Sequence, residues 1–140
     1  MQSSVISAKT KKKYKYNNIY FDSNWELIIY KALINNNIDF EYHPNITFEY
    51  KDSLTNTTHY YQPDFLINDD YYEIKGPQFF DSITGKMINP YGRKQLTKTE
   101  LEASDSLYES KHQCMLKNGV CIITELNKLF DLLDIEVKYE

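Results

Sequence analysis

The sequence is poor in the residues on which disulfide-bonded and zinc-stabilised domains depend. It has only two cysteines, Cys114 and Cys121, which do not form a C-x-x-C pair, and its three histidines are scattered along the chain. This spacing predicts neither a disulfide framework nor a structural zinc site. A G-x-S-x-G motif, a glycine-rich phosphate loop and a cysteine–histidine pair are also missing, so the chemistries that use them are not indicated.

Long apolar runs and arginine are scarce as well. No stretch has the length of a membrane span and no signal peptide is evident, so we expect no membrane association and a cytoplasmic location. Arg93 is the only arginine. Aromatic side chains, in contrast, are plentiful, with 13 tyrosines and 7 phenylalanines among 140 residues. This composition predicts one globular domain with a substantial core.

Charge is unevenly distributed along the chain. The net charge is −4, yet residues 1–21 carry five lysines and no acid, giving +5, so the rest of the chain carries −9. Lys11, Lys12 and Lys13 form the densest part of this arm. A basic arm on an acidic body suits a protein that touches phosphate groups locally. A solvated tail explains the same lysines equally well, and both interpretations stay open.

The order of local signals predicts a mixed α/β domain over residues 21–140, preceded by a flexible arm over residues 1–20. A first helix is predicted after Ser23 from apolar residues at helical spacing, namely Trp25, Ile28, Ile29, Ala32 and Leu33. A second helix is predicted from Thr97 or Thr99 to about Lys117. The other expected elements are extended segments at 14–20, 38–42, 46–50 and 120–124, a long loop at 77–95, a short helix at 125–133 and a final strand at 135–139.

The segment 60–76 carries most of the chemistry. Two apolar and aromatic runs, 60–67 and 71–74, flank the polar break 68–70. Strand-like runs on either side of a short polar break predict a β-hairpin.

The register of this hairpin decides which side chains meet. With a two-residue loop, Asp64 lies directly opposite Glu73, and Lys75 is on the same face as Glu73. A three-residue loop would put Asp64 opposite Ile74 instead. Because like charges opposite each other destabilise a strand pair, the first register predicts a divalent cation held by oxygen ligands.

Glu26 flanks the apolar stripe of the first helix. Ser23-x-x-Glu26 has the spacing of a capping box, in which the carboxylate accepts from the Ser23 backbone amide. Taken together with Asp64 and Glu73, a third carboxylate at the edge of the core indicates a metal site. In the simpler interpretation, Glu73 pairs with Lys75 on a solvated strand face, and such pairs contribute little to stability.

Pro63-Asp64 followed by Glu73-Ile74-Lys75, with Glu26 on an upstream helix, resembles the PD-(D/E)xK nuclease superfamily. Within it, residues 21–76 are most similar to the phage-type endonuclease I group of Holliday-junction resolvases. The resemblance covers about the first half of the chain, and residues 77–98 look like an insertion before the second helix. It implies a restriction-endonuclease-like core, a mixed β-sheet flanked by helices, and the host-cell cytoplasm as the location if the protein is phage-encoded.

The resemblance also implies a catalytic set of Glu26, Asp64, Glu73 and Lys75. Asp64 and Glu73, helped by the Ile74 backbone carbonyl, would bind Mg²⁺, for which Mn²⁺ can substitute, and Glu26 would bind a metal or its waters. Lys75 would orient or activate the attacking water. The implied activity is hydrolysis of phosphodiester bonds in branched DNA, and two opposed nicks would need a homodimer.

Further basic residues are candidates for DNA contacts. Besides the arm lysines, Arg93 and Lys94 could follow the DNA backbone, and Lys111 or Gln113 on the second helix could reach a phosphate. Solvated loop charges, and for Lys111 a long side chain at the edge of an apolar stripe, are the simpler interpretations. Two other functions stay open: a sequence-specific or transposon-end nuclease of the same fold, and a nucleic-acid-binding or assembly protein without turnover.

Overall fold

The computed structural model describes residues 14–136 and has the mixed α/β architecture that the sequence predicts. In chain order the elements are β1 (Tyr14–Tyr16), β2 (Ile19–Phe21), α1 (Asn24–Asn35), β3 (Phe40–Tyr42), β4 (Phe48–Lys51), β5 (Thr58–Tyr61), β6 (Phe65–Ile67), β7 (Asp70–Ile74), α2 (Lys98–Lys117), β8 (Cys121–Ile123) and α3 (Leu126–Leu133). Two 3-10 turns, Pro77–Phe79 and Arg93–Gln95, lie between β7 and α2.

A four-stranded mixed sheet in the order β3-β6-β7-β8 forms the centre of the fold. β3, β6 and β7 are antiparallel neighbours, whereas β8 runs parallel to β7. A parallel neighbour requires a long crossover connection, which the segment containing α2 supplies. β7 is therefore an inner strand, paired on both of its edges.

The turn between β6 and β7 sets the register of the hairpin. Ile67 pairs with Asp70, which leaves Asn68 and Asp69 as a two-residue loop. Their φ angles are 48° and 73°, and a type I′ turn requires positive φ at both central residues. Asparagine and aspartate tolerate this region better than other residues with a side chain. The two-residue loop is confirmed.

The predicted helices begin and end at recognisable caps. Ser23 caps α1, and its hydroxyl accepts from the Glu26 amide. Of the two candidate starts for α2, the structure uses Thr97, which forms a complete capping box with Glu100. Gly119, with φ of 71°, follows the end of α2. Within residues 14–136, no helix combines the length and the apolar character needed to cross a bilayer.

Two hydrophobic clusters lie on the opposite faces of the central sheet. The first joins α1 and α3 to the sheet and is formed by Ile29, Ala32, Leu33, Phe65, Ile67, Tyr72, Ile74, Ile123, Leu129 and Phe130. The second lies under α2 and is formed by Tyr61, Met87, Cys114, Met115 and Val120. Because side chains alternate along β7, its Tyr72 and Ile74 face the first cluster while Glu73 faces the other side.

The run 60–67, expected as one strand, is divided in the structure. β5 pairs with β4 in a separate two-stranded sheet, and β6 pairs with β3 and β7. Pro63 lies between them and is fully buried. Proline has no amide hydrogen to donate to a ladder, so the chain changes sheets at this point.

The ends of the chain differ from expectation in detail. Residues 14–20, expected as one extended segment, form most of a hairpin that turns at Asn17 and Asn18 and places Tyr16 against Tyr30 of α1. Lys11, Lys12 and Lys13 lie outside the described residues. So does most of the final strand expected at 135–139, and Ile135 and Glu136 are not in a strand.

The segment between β7 and α2 is a long loop, as the sequence predicts, and it is attached to α2 at several points. Met87 is fully buried in the second cluster. Arg93 donates to both carboxylate oxygens of Asp105, at 2.8 and 3.2 Å. Lys86 lies 3.2 Å from the Glu109 carboxylate.

Candidate active site

A cavity of about 290 Å³ opens where β5, β7, α1 and α2 meet. It is lined by Asp22, Glu26, Tyr60, Tyr61, Gln62, Asp64, Glu73, Ile74, Lys75 and Lys111. All four residues of the expected catalytic set are among them, together with Ile74 and Lys111. A larger groove of about 790 Å³ between β4 and α2 contains none of these residues.

Asp64 lies where the regular β6–β7 pairing stops. In an antiparallel ladder, hydrogen-bonded pairs of opposite residues alternate with pairs that are not hydrogen-bonded. The pair that closes the two-residue loop is hydrogen-bonded, so Phe65 and Tyr72 form the next hydrogen-bonded pair. The Asp64 amide also donates to the Tyr72 carbonyl, at 3.0 Å. The amides of Asp64 and Phe65 thus donate to the same carbonyl, which is the pattern of a β-bulge. A bulge redirects a side chain. The direct pairing of Asp64 with Glu73 expected from the sequence is therefore replaced by a bulge, which follows Pro63.

The bulge leaves the Asp64 carboxylate beside β7. Its Oδ2 accepts from the Ile74 amide at 2.7 Å. Burial raises the pKa of Asp64 well above its ordinary value, and the nearby carboxylates of Glu73 and Glu26 raise it further, against the opposing effects of the Ile74 amide and Lys75. The cavity thus concentrates more negative charge than its own cations offset.

Glu73 is buried on the inner strand β7, with 5% of its surface exposed. The Tyr61 hydroxyl donates to Glu73 Oε1 at 2.7 Å, and Lys75 Nζ lies 3.7 Å from Oε2. The Lys75 ammonium also lies over the Phe79 ring, 4.7 Å from its centroid. The pairing of Glu73 with Lys75 that the sequence left open is present, but inside the cavity rather than on a solvated face.

Glu26 is also buried, with 6% of its surface exposed. The Ser23 hydroxyl donates to Oε2 and the Tyr42 hydroxyl to Oε1, each at 2.8 Å, while His43 Nε2 lies 3.8 Å from Oε1. Burial acts to raise the pKa of Glu26, but the contacts with His43, Tyr42 and Ser23 outweigh it and hold the pKa below its ordinary value. Ser23 caps the helix, and the Glu26 carboxylate is bound by the serine hydroxyl at the cavity wall.

Two lysines bring positive charge to the cavity. Lys111 reaches it from α2, with Nζ 5.8 Å from the centroid of the Tyr61 ring. Burial and then the Lys75 charge lower the pKa of Lys111, against the opposing effects of Glu73 and Asp64. Lys111 is therefore a half-buried amine at the cavity and not a fully solvated side chain.

The other expected DNA contacts lie elsewhere. Arg93 is bound to Asp105 and holds the long loop against α2. Lys94 is exposed on the adjoining 3-10 turn. Gln113 lines the larger groove and not the cavity. None of the three is among the residues that line the cavity.

Several residues at the site were not predicted from the sequence. Asp22, Glu26 and His43 place ligand atoms within 4.8 Å of one another, the one such group of three among residues 14–136, and Asp64 is not a member of it. Asp22 directly precedes the helix cap, which is a weak signal. His43 had no signal in the sequence, because it follows the last residue of β3 and is oriented by a left-handed φ of 52°. An oxygen-rich set with one imidazole suits a hard divalent cation such as Mg²⁺ or Mn²⁺.

Comparisons of the chain with protein-family models, with curated proteins and with solved structures find no match. Similarity therefore assigns no family, and the argument for a function rests on the geometry of the cavity.

Proposed function

We propose that the chain is a Mg²⁺-dependent endodeoxyribonuclease of the PD-(D/E)xK type that acts on branched DNA. The observation that supports this proposal is the convergence of Glu26, Asp64, Glu73 and Lys75 on one cavity. Three of these side chains come from separate elements of the chain, α1, the bulge before β6, and β7. A structural ion pair on a strand face would not require all of them to meet.

The donor set fits a divalent cation. Burial and the neighbouring carboxylates of Glu73 and Glu26 raise the pKa of Asp64, and a bound cation would offset this repulsion. Asp64, Glu73 and the Ile74 carbonyl would hold it, with Glu26 contributing directly or through water. Bound there, Mg²⁺ would supply Lewis acidity, which lowers the pKa of a coordinated water and offsets charge on the phosphate.

The chain's own cations complete the chemistry. Lys75, held by Glu73 and by the Phe79 ring, orients the attacking water and balances charge that develops on the phosphate oxygens. Lys111, which reaches the cavity from α2, contacts a non-bridging oxygen. The water oxygen bonds to phosphorus as the bond from phosphorus to O3′ breaks, the water loses one proton to solvent, and the leaving O3′ takes up one proton from solvent. The products are a 5′-phosphate and a 3′-hydroxyl.

The test is cleavage of a substrate panel with Mg²⁺ or Mn²⁺. Four-way junction, plain duplex and single-stranded DNA are incubated with the wild type, with Asp64→Ala, and with Asp69→Asn as a matched control in the exposed hairpin loop. We expect junction cleavage that falls at least about 100-fold in Asp64→Ala and is retained in Asp69→Asn.

Two other results would redirect the assignment. Cleavage of plain duplex at defined sites would favour the sequence-specific or transposon-end type. If the wild type cuts nothing and Asp64→Ala behaves identically, the enzyme proposal fails and a binding or assembly protein remains.

A further inference from the structure

Tyr60 is an exposed aromatic residue at the wall of the cavity. It has 65% of its surface exposed, and it lines the same cavity as Asp64 and Glu73. Single exposed aromatic residues are common on protein surfaces and carry no meaning alone. The position of this one, next to the acidic residues, distinguishes it.

Among residues 14–136, the ring of Tyr60 also lacks an aromatic or cationic partner. Tyr20 and Tyr91 are comparably exposed, but Lys15 lies over the ring of Tyr20 and Phe79 packs against the ring of Tyr91. Across residues 14–136, no ring, cation or hydrogen-bond contact is made by the side chain of Tyr60. Its face is thus available to a flat ligand.

The backbone beneath this ring is held in place. Tyr60 is paired with Glu49 in the β4–β5 ladder, and the next residue, Tyr61, is buried and bonded to Glu73. Two residues on, the Gln62 side chain donates to the Pro44 carbonyl at 2.9 Å. A ring on a fixed backbone loses little freedom when it binds, which favours its use as a contact surface.

The charges around Tyr60 indicate which part of a nucleotide it meets. Lys75 and Lys111 lie inside the cavity and attract a phosphate. Glu49, directly across the ladder from Tyr60, is exposed and repels one. An uncharged aromatic group, the base, suits the tyrosine face. In a paired duplex that base is stacked between its neighbours and cannot lie against a protein ring.

We propose that Tyr60 is a stacking platform for an unpaired nucleobase beside the phosphate held in the cavity. This inference rests on the proposed nuclease function and adds a substrate class: DNA with an unpaired nucleotide next to the cut. Stacking on an aromatic side chain is tolerant of base identity, so the platform selects a DNA structure and not a sequence.

The test is a double-mutant cycle on binding. All proteins carry Asp64→Asn, so that DNA stays intact, and dissociation constants are measured by fluorescence anisotropy. The labelled duplex has a single-nucleotide bulge that is either adenine or an abasic residue. Tyr60→Ala is compared with Tyr60→Phe, and Leu132→Ala on α3, which removes a side chain of similar exposure (63%), is the control.

We expect Tyr60→Ala and the abasic bulge each to weaken binding roughly 5- to 150-fold. If the ring stacks on that base, the two changes together weaken binding no more than one alone. Tyr60→Phe and Leu132→Ala are expected to bind like the parent. The inference would be overturned if the losses from Tyr60→Ala and from the abasic bulge multiply when combined. It would also be overturned if Tyr60→Ala weakens binding to fully paired duplex by the same factor.

The two proposals fail in different ways. If the wild type cleaves DNA but the cycle shows independent effects, only the stacking platform is wrong. If the cycle shows coupling but no substrate is ever cut, the nuclease function is wrong and Tyr60 belongs to a binding protein.

Discussion

At the scale of single residues, two tyrosine hydroxyl groups hold the acidic side chains of the cavity. Tyr61 donates to Glu73, and Tyr42 donates to Glu26. Burial, and then the neighbouring carboxylate, raises the pKa of both phenols, so both remain protonated donors at physiological pH. Groups that orient metal-binding carboxylates in this way affect metal affinity without touching the metal.

Replacing Tyr61 with phenylalanine tests this role. The ring that packs in the second cluster is kept and only the bond to Glu73 is lost. We expect Mg²⁺ affinity, measured by titration calorimetry, to fall about 10- to 100-fold. Tyr50→Phe on the neighbouring strand β4 is the matched control and should leave affinity unchanged. Equal losses in the two variants would show that the hydroxyl of Tyr61 has no specific role.

Asp64→Asn should stabilise the metal-free protein while abolishing cleavage. The amide oxygen can still accept from Ile74, and the repulsion from Glu73 and Glu26 disappears. We expect Tm at pH 7 without divalent metal to rise by several degrees, since about 1 kcal/mol corresponds to roughly 2–4 °C at this chain length. Mg²⁺ should raise the Tm of the wild type and not that of the variant.

The pH dependence has a definite sign. The pKa of Asp64 is higher in the folded than in the unfolded chain, so between the two values the folded state binds a proton that the unfolded state has lost. Protonation of Asp64 therefore raises the free energy of unfolding as pH falls from the folded pKa towards the unfolded one. This stabilisation is lost as pH rises again. In metal-free thermal melts, Asp64→Asn should lack this pH-dependent stabilisation. A variant with the same pH profile as the wild type would contradict the argument.

At the scale of elements, the β6–β7 register decides whether a site forms. Inserting one glycine between Leu66 and Ile67 keeps the two-residue loop and shifts Phe65 and Asp64 by one residue against β7, which moves their side chains to the other face. We expect this variant to lose cleavage and Mg²⁺-dependent stabilisation. Asp69→Gly keeps the loop length and relieves a positive φ of 73°, so it should retain both and gain about 0.5–1 kcal/mol in urea unfolding. An active insertion variant would show that the register is not decisive.

Elements could be predicted from sequence where a local rule was sufficient. The polar break 68–70 predicted a hairpin turn of two or three residues, and the structure uses two. Thr97 and Thr99 were both predicted as possible helix starts, and the structure uses Thr97 with Glu100. The division at Pro63 was not predicted, because the partner that takes β5 out of the central sheet is β4, and no local pattern names a partner. The bulge at Asp64 follows from that same division.

At the scale of the whole molecule, the cavity is lined by one buried residue of each hydrophobic cluster, Ile74 of the first and Tyr61 of the second. Its motif residues were found from sequence because a resemblance connected them, and Lys111 because its helix could be recognised. Tyr61, Tyr42 and His43 could not be found, since their contacts with Glu73 and Glu26 join residues that are far apart in the chain. Sequence reasoning thus gave the three motif carboxylates and the two lysines, and missed Asp22 and the tyrosine hydroxyl groups that hold Glu73 and Glu26.

A junction-resolving enzyme needs two such cavities. Two opposed strands must be nicked, and each cavity of about 290 Å³ accommodates one phosphate with its waters. We expect sedimentation analysis to show a dimer, either free or on a four-way junction, with the isologous contact that two-fold symmetry requires. One protomer per junction at saturation would exclude resolvase action and leave single-strand nicking as the reaction.

The parallel pairing of β7 with β8 has a consequence for synthesis. The Lys75 amide donates to the Ile123 carbonyl, so the strand that carries Glu73 and Lys75 acquires its second neighbour from a part of the chain made much later. The nascent protein holds its complete motif by residue 76, yet lacks both Lys111 and this outer strand. Contacts so distant along the chain form late in folding. A ribosome-bound fragment of the first half is therefore expected not to cut DNA, because the proposed nuclease site is completed only after α2 and β8 have been made.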